Sequence, residues 1–282
     1  MRSFARLAAV SFALAAPALS SPVLAQAKAA SFSADYGIYL AGLPIGEADV
    51  ASTIEGDRYK LDVNAKLTGL VGLFVSGRGA ATSTGSVADG RVVPASFAVT
   101  SRNSSESRTV RMGLSSGNVA AVDISPPLEA KEDRVPVADA HRRGIVDPVS
   151  ALIMPMTARE PLDPAQCGRT IPVFDGASRF NVVLSYEGRK SVEKPGFKGD
   201  VLVCNARWVP ISGHRPTRSA VKFMEENRNM SVWLAPIEGT RVLAPLRIAV
   251  ETMVGMSVIE AQRWELSPTS TASVRRPDRA RN

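Results

Sequence analysis

Two cysteines offer the most specific chemistry in this sequence. Cys167 and Cys204 are the only cysteines, and a long stretch of chain separates them. Redox-active pairs usually follow a C-x-x-C spacing, and a metal site needs further ligands, for which only His141 and His214 are present as histidines. A structural disulfide is therefore preferred over these two alternatives, provided that the chain enters an oxidising compartment.

The segment that begins at Cys167 is the most informative block, because it combines a cysteine, a predicted strand, a turn and charged residues. Arg169, Asp175 and Arg179 lie close together in sequence, and Asp175-Gly176 is a typical hairpin turn. These three side chains could form a polar site. The alternative is a hairpin stapled by the disulfide, in which an isolated ion pair contributes little.

Catalytic motifs give little guidance. The H-E-x-x-H, Walker and G-x-G-x-x-G patterns are absent, so no catalytic residue, metal or cofactor is predicted. A glycoside hydrolase needs two carboxylates across a cleft. The candidates on predicted strands are Asp35, Glu47, Asp49, Asp175, Glu251 and Glu260. Nothing in the sequence selects a pair among them.

An apolar interior is the other candidate site, because a rolled sheet can hold a ligand inside. Small residues that would leave room are Gly77, Gly79, Ala80 and Ala81. Residues that could line such an interior are Leu70, Leu73, Phe74, Met253 and Met256. Ordinary core packing explains the same residues, so both interpretations stand.

The elements that must position these residues are mostly strands. Short runs with a period of two, such as Tyr59–Val63, alternate with turn signals such as Asp89-Gly90. Asp147-Pro148 predicts the start of a short helix, and Pro216–Glu226 predicts either a second helix or a loop. The sequence therefore predicts an all-β, mainly antiparallel protein. We expect one curved sheet, rolled into an open barrel or β-spiral, with one or two short helices.

The N-terminus predicts export. Arg2 and Arg6 precede an apolar run, Leu7–Leu19, which is shorter than the roughly 20 residues of a membrane-spanning helix. Ala25-Gln26-Ala27 is a small-x-small cleavage site, so residues 1–27 read as a signal peptide cleaved after Ala27. We expect a single β-rich periplasmic domain over residues 28–267 and a disordered basic tail over 268–282. The remaining chain has no predicted transmembrane segment.

Charge argues against nucleic acid as a partner. The formal net charge is +7. Two of these charges belong to the signal peptide, and the arginines of the tail exceed its one aspartate by three. The folded body is therefore close to neutral, and it lacks the basic footprint that nucleic-acid binding requires.

Several segments resemble a known family. They are Tyr39–Ala48, Tyr59–Leu61, Thr68–Val71, the block Cys167–Phe180, and Cys204 with Gly213-His214. In order and spacing they resemble the uncharacterised exported proteobacterial family catalogued as domain of unknown function 3108, in its alphaproteobacterial type. The resemblance implies a periplasmic, β-rich protein and offers no catalytic residues. In size, export and cysteine number the chain is also similar to alphaproteobacterial envelope proteins that fold as an open β-spiral with one disulfide.

Together these observations predict a non-enzymatic periplasmic protein with a role in cell-envelope maintenance. Its expected partner is a lipid or another envelope-derived apolar ligand, or a periplasmic protein. The alternative is an envelope-directed hydrolase that uses carboxylates. A scaffold that docks a partner at an exposed sheet edge is a third hypothesis.

Overall fold

The computed structural model describes residues 30–67 and 77–268. Its strands are β1 (Ala30–Leu40), β2 (Leu43–Glu55), β3 (Arg58–Leu67), β4 (Gly77–Ala88), β5 (Arg91–Asn103), β6 (Ser107–Ser115), β7 (Asn118–Ser125), β8 (Met154–Pro155), β9 (Arg169–Phe174), β10 (Arg179–Lys194), β11 (Phe197–Ser212), β12 (Met230–Ile237), β13 (Val242–Thr252) and β14 (Gly255–Pro268). The helical elements in these ranges are the α-helix α1 (Ser219–Glu226) and the 3-10 turns Asp139–Arg142, Ser150–Leu152 and Pro164–Gln166.

The strands form one antiparallel sheet in the order β7-β6-β5-β4-β3-β2-β1-β14-β13-β12-β11-β10-β9, with β8 paired to β13. We call β1–β7 the N-terminal arm and β9–β14 the C-terminal arm. The arms meet in the middle of the sheet, where β1 pairs with β14 along its whole length. Each arm is a meander, because successive strands are also neighbours in space.

The sheet curves without closing, since β7 and β9 are not paired with each other. The chain that joins them, residues 126–168, bridges the gap. Its Ile145 N donates to Gly117 O at 2.9 Å, and Val146 forms a parallel bridge with Val173 of β9. The predicted fold class, an open curved antiparallel sheet with a short helix, is confirmed.

The hairpin turns follow the sequence signals. Asp89 and Gly90 both have positive φ, 52° and 69°, as a type I′ turn between right-twisted strands requires. The predicted helix after Asp147 is the 3-10 turn Ser150–Leu152, and the segment before Glu226 contains α1.

Strands β10 and β11 are longer than the sequence indicates. Alternation predicts a strand only as far as Tyr186, but β10 continues to Lys194 after a bulge between Tyr186 and Gly188. This outer half is mostly polar. Its residues 187, 189, 191 and 193 are exposed, whereas Val192 on the other face packs against the main core. Its turn is anchored where Trp264 N donates to Pro195 O at 2.9 Å.

Two cores hold the sheet. The main core lies on the inner faces of both arms and includes Phe32, Tyr59, Leu61, Phe97 and Trp264. The second core lies on the other face of the C-terminal arm. We call it the disulfide core, and it comprises Met154, Met156, Cys167, Leu184, Leu202, Cys204, Ala206, Val232, Leu234 and Leu243. The predicted signal peptide and almost all of the predicted tail, together with Leu70, Leu73 and Phe74, lie outside the described residues.

Candidate functional site

The main core borders a partly open cavity of about 200 Å³. One wall is formed by the inner faces of β1, β2 and β3, including Val50 and Val63. The opposite wall is formed by β13 and by Leu152 and Ile153, which follow Asp147. Apart from Tyr36 and Ser52, every residue in the lining is apolar, so the cavity suits an apolar occupant.

The strand period explains this lining. Ala48 and Val50 alternate along β2 with Glu47, Asp49 and Ala51, which are exposed on the outer face. Ala48 on β2 and Ala65 on β3 have small side chains, and they leave space in the cavity that a larger side chain would fill.

The two polar residues in the wall differ in how their hydroxyls are satisfied. Tyr36 OH donates to Pro245 O at 2.7 Å, and its burial raises the pKa of the phenol well above its ordinary value. Ser52 is 5% exposed, and its Oγ has no hydrogen-bond partner within the described part of the chain.

A second cavity, of about 340 Å³, adjoins the first at Ile38 and Ala65. It lies towards the end of the sheet where β3 ends and β4 begins. Its lining is more polar than that of the first cavity and includes Arg102 and Arg108.

The wall segment Leu152–Ile153 is positioned by a buried carboxylate, Asp147. Its Oδ1 accepts hydrogen bonds from Val149 N at 3.0 Å and Ser150 N at 2.9 Å. Its Oδ2 accepts from Ser83 Oγ at 2.9 Å and from Ser150 Oγ. Because Ser83 lies on β4, Asp147 ties the connecting segment to the inner face of the N-terminal arm.

This group, which we call the Asp147 clasp, extends to Tyr59, whose hydroxyl lies 2.7 Å from Ser150 Oγ. Asp147, Ser83 and Ser150 are each 0% exposed. Burial raises the pKa of the Asp147 carboxyl, although its four hydrogen bonds favour the charged form. Burial likewise raises the pKa of Tyr59 to about 12. Asp147 was predicted from the sequence only as a helix cap.

Cys167 and Cys204 form a disulfide with a Cα–Cα distance of 5.5 Å, as predicted. Both cysteines are 0% exposed. The bond connects the segment before β9 to β11, and it closes over the disulfide core. It is therefore structural in position, with no exposed sulfur for redox exchange.

The three residues of the predicted polar site have separate local partners. Arg169 donates from Nε to Gln166 O at 2.7 Å and from a terminal nitrogen to Pro155 O at 2.9 Å, beside the disulfide. Asp175 accepts from the backbone of its own turn, and Arg179 donates to Phe180 O. No ion pair joins the three within residues 30–67 and 77–268. Burial raises the pKa of Asp175 and lowers the pKa of both arginines.

The candidate carboxylates on strands also have partners of their own. Glu260 pairs with Lys194 at 2.7 Å and with Arg247 at 3.6 Å. Four others pair with or accept a hydrogen bond from a neighbouring residue: Asp35 with Arg263, Glu47 with Lys66, Asp49 with Asn64, and Glu251 with Asn229. A carboxylate hydrolase remains the alternative hypothesis, and these contacts single out no pair for it.

The histidines lie in loops. His141 Nδ1 accepts from Ala138 N at 3.1 Å, and the His214 ring packs edge-on against Trp208. Among the described residues no cluster of His, Cys, Asp and Glu could hold a metal ion. Nor does any helix in these ranges have the length and apolar character to cross a membrane.

Three short serine motifs also occur. Residues 113–117 spell G-x-S-x-G, and residues 191–194 and 219–222 each spell S-x-x-K. The first spans the end of β6 and its turn into β7, whereas a nucleophile elbow needs a strand-to-helix turn. The second is on the exposed half of β10, where Ser191 Oγ bonds to Asp200 of the neighbouring strand. The third begins α1, where Ser219 and Lys222 are both exposed on the surface. None of the three motif serines lies in a cleft of the described residues as a serine enzyme requires.

The cavity residues could only partly be found from the sequence. Gly77 and Gly79, predicted to leave room, line the second cavity. Met253, predicted as lining, instead lies at a hairpin tip and is 59% exposed. The residues that form the first cavity, such as Ala48 and Val63, follow the same alternation as any core-facing strand, so the pattern does not distinguish them.

Comparison with known proteins identifies a family but no activity. Among curated proteins no sequence matches this chain. The crystal structure of a beta-barrel-like protein of the domain of unknown function DUF1849 from Brucella abortus is similar, with a TM-score of 0.50 and 10% sequence identity. The likeness covers 86% of this chain and 99% of that protein, and at this identity it shows the fold alone.

The family match is broader than any single motif. The profile described as "Protein of unknown function (DUF3108)" matches residues 31–262, from β1 to β14. The resemblance of the individual segments is therefore confirmed at the level of the family, while export and alphaproteobacterial type stay predictions. By this match, the chain belongs to the DUF3108 family.

Proposed function

We propose that this protein is a non-enzymatic periplasmic protein that binds an apolar, envelope-derived ligand inside its curved sheet. The observation that carries the proposal is the apolar cavity of about 200 Å³ between the two arms. The periplasmic location rests on the predicted signal peptide. A role in cell-envelope maintenance follows from that location and from the chemistry of the ligand.

The cost of an empty cavity supports this proposal. Native cores are close-packed and rarely contain voids much larger than a water molecule. Fully enclosed core cavities cost about 24 cal/mol per Å³, so even partial enclosure of a cavity of about 200 Å³ costs on the order of a few kcal/mol. Such a cost is a large fraction of the stability of a typical domain. A ligand that fills the void recovers much of it.

Size restricts the ligand class. A dry cavity of ~150 Å³ accommodates benzene, and drug-sized ligands need roughly 300 Å³ or more. The cavity therefore suits one aromatic ring or a short length of acyl chain. A polar head group could extend past Ile38 and Ala65 into the adjoining cavity of about 340 Å³.

The test is a binding series with hexanol, octanol, decanol and dodecanol, measured by calorimetry on the purified chain. We expect affinity to increase about fourfold with each added methylene until the cavity is filled, and then to stay constant. Native mass spectrometry of the freshly purified protein, with lipid extraction, identifies any ligand that is already bound.

Ala48→Leu and Ala51→Leu form a matched pair on β2. Ala48 faces the cavity, whereas Ala51 is exposed on the outer face. Filling the cavity with Ala48→Leu should weaken binding at least tenfold, while Ala51→Leu should leave it unchanged. A wild-type protein that binds none of the alcohols, or equal effects of the two substitutions, would contradict the proposal.

A further inference from the structure

Exposed apolar side chains are concentrated at one end of the sheet. Within the described residues four large hydrophobic side chains are exposed: Leu43, Tyr186, Met253 and Val254. Their exposed fractions are 60%, 43%, 59% and 70%, respectively. Single exposed apolar residues are normal on protein surfaces, but three of these four lie on two hairpin tips.

The two tips are direct neighbours. Leu43 begins β2 after the turn at Ala41-Gly42, and Met253-Val254 form the turn between β13 and β14. Because β1 pairs with β14, Ala41 N reaches Met256 O at 2.9 Å. The three side chains therefore belong to one surface, which we call the apolar tip.

The opposite end of the sheet has a different composition. Its hairpin turns contain glycine with polar residues or proline: Gly56-Asp57, Asp89-Gly90, Ser116-Gly117, Pro195-Gly196 and Glu238–Arg241. Turns of this kind are the usual solvent-exposed choice. The two adjacent hairpins of the apolar tip expose large apolar side chains instead. Turn geometry does not call for such side chains, so their exposure needs another explanation.

Two arginines lie on the outer face at the same end of the sheet as the apolar tip, two and three strands away from β2. Arg78 of β4 and Arg102 of β5 are directly opposite each other, and Arg78 is also opposite Lys66 of β3. Like charges at directly opposed positions are unfavourable in a sheet. Lys66 is paired with Glu47 at 2.5 Å, but no carboxylate in the described ranges forms an ion pair with either arginine.

The spacing of charge and apolar surface matches a lipid head-group layer. The register places Lys66 opposite Glu47, which is four residues from Leu43 along β2. Measured along the strand direction at about 3.3 Å per residue, the arginine row lies roughly 13 Å from Leu43, and Arg78 and Arg102 are displaced sideways from β2 by two and three strands, about 10 and 14 Å. Interfacial proteins insert apolar groups about 5–10 Å into the boundary of the acyl chains. The arginines would then lie close to the lipid phosphates.

We propose that the apolar tip, with Arg78 and Arg102, docks this protein onto an anionic lipid bilayer. Leu43, Met253 and Val254 insert between the head groups, and the two arginines bind lipid phosphate. Glu251, which accepts a hydrogen bond from Asn229, is the acidic group nearest Met253 in sequence and limits the affinity. The same end of the sheet contains the cavity of about 340 Å³, so docking would bring that cavity to the membrane.

The test is co-sedimentation of the mature chain with two kinds of vesicle, phosphatidylcholine alone and phosphatidylcholine mixed with phosphatidylglycerol. We expect binding to the mixed vesicles that weakens as salt is added. Met253→Ser with Val254→Ser should abolish it. Arg78→Gln with Arg102→Gln should weaken it about tenfold or more.

Matched controls lie elsewhere on the surface. Tyr186→Ser removes the fourth exposed hydrophobic, and Arg58→Gln with Arg91→Gln removes two exposed cations at the opposite end. Neither control should change vesicle binding. Absence of wild-type binding to the mixed vesicles would overturn the proposal. The proposal would also be overturned if the control substitutions weakened vesicle binding as much as the tip substitutions do. The same holds if the tip substitutions changed only the self-association of the protein. Each outcome is independent of the alcohol series, which probes the interior.

Discussion

Strand β3 of the N-terminal arm and strand β13 of the C-terminal arm bury their side chains in different ways. In β3, Tyr59 and Leu61 face the core, whereas Lys60 and Asp62 form an ion pair in solvent. In β13, five consecutive residues, Val242–Leu246, are all buried. Alternation is typical of a sheet with one wet face, and a continuous apolar run is typical of a strand covered on both faces.

The contrast between the arms separates a region of double-sided packing from a region that leaves space. The C-terminal arm has a second layer, the disulfide core, covered by the segment around Met154–Cys167. The N-terminal arm has one buried face, and that face borders the cavity. Each arm is also attached to the connecting segment 126–168. The disulfide attaches the C-terminal arm, and the Asp147 clasp attaches the N-terminal arm. Removing the disulfide should destabilise the protein more than removing the Asp147 clasp.

Loss of the disulfide should have the largest effect. Cys167→Ser with Cys204→Ser should lower the free energy of unfolding by about 4 kcal/mol in the chain-entropy model, because the bond closes a loop with a sequence separation of 37. For a domain of this size the melting temperature should fall on the order of 10 °C. Thermal unfolding followed by circular dichroism measures it.

Reductant is the control for this variant. It should destabilise the wild type by a similar amount and leave the double variant unchanged. Free thiols in the native protein purified without reductant would contradict the prediction that this disulfide stabilises the C-terminal arm.

The Asp147 clasp should have the next largest effect. Asp147→Ala leaves Val149 N and Ser150 N buried without their acceptor, which should cost about 3 kcal/mol. Asp147→Asn is the matched variant, since its amide oxygen can accept both backbone bonds while its NH₂ donates to Ser83 and Ser150. Urea unfolding should show a much smaller loss for Asn than for Ala. Equal losses would mean that the carboxylate does not fasten this arm through those hydrogen bonds.

The smallest effect is a pH dependence carried by Asp147. Burial raises its pKa in the folded state, so the unfolded chain binds fewer protons once pH exceeds the ordinary aspartate pKa of about 3.9. The contribution of this group is therefore most favourable below that pH and is lost as pH rises through the raised pKa. We expect the wild type to lose stability relative to Asp147→Asn over this window. Melting temperatures of both proteins from acid to neutral pH measure the difference, and a pH-independent difference would count against it.

Much of the fold could be predicted from the sequence because local signals and tertiary structure agree. The alternation at Tyr59–Val63 and the Asp89-Gly90 turn each specify their own strand or hairpin, and export predicts the disulfide. The outer half of β10 could not be predicted, because its side chains carry no apolar alternation. Its strand is set by pairing with β11 instead.

The candidate site was less predictable for a physical reason. A cavity depends on how two facing surfaces fit together. From the sequence, Ala48 is indistinguishable from any other core-facing residue of a strand, because its position opposite β13 is known only from the structure. The Asp147 clasp likewise depends on Ser83, which lies 64 residues earlier in the chain. Neighbours in space that are distant in sequence leave no local pattern.

The pairing of β1 with β14 also determines the order in which the sheet can be assembled. Ala30 is opposite Pro268, and the register between these strands runs along all of β1. A chain that emerges from its N-terminus can complete the meander of β1–β7 early, but the other edge of β1 has no partner until residues 255–268 arrive. Such a delay exposes an unpaired strand to other chains. The join between the arms is thus the last long-range pairing of the sheet to form.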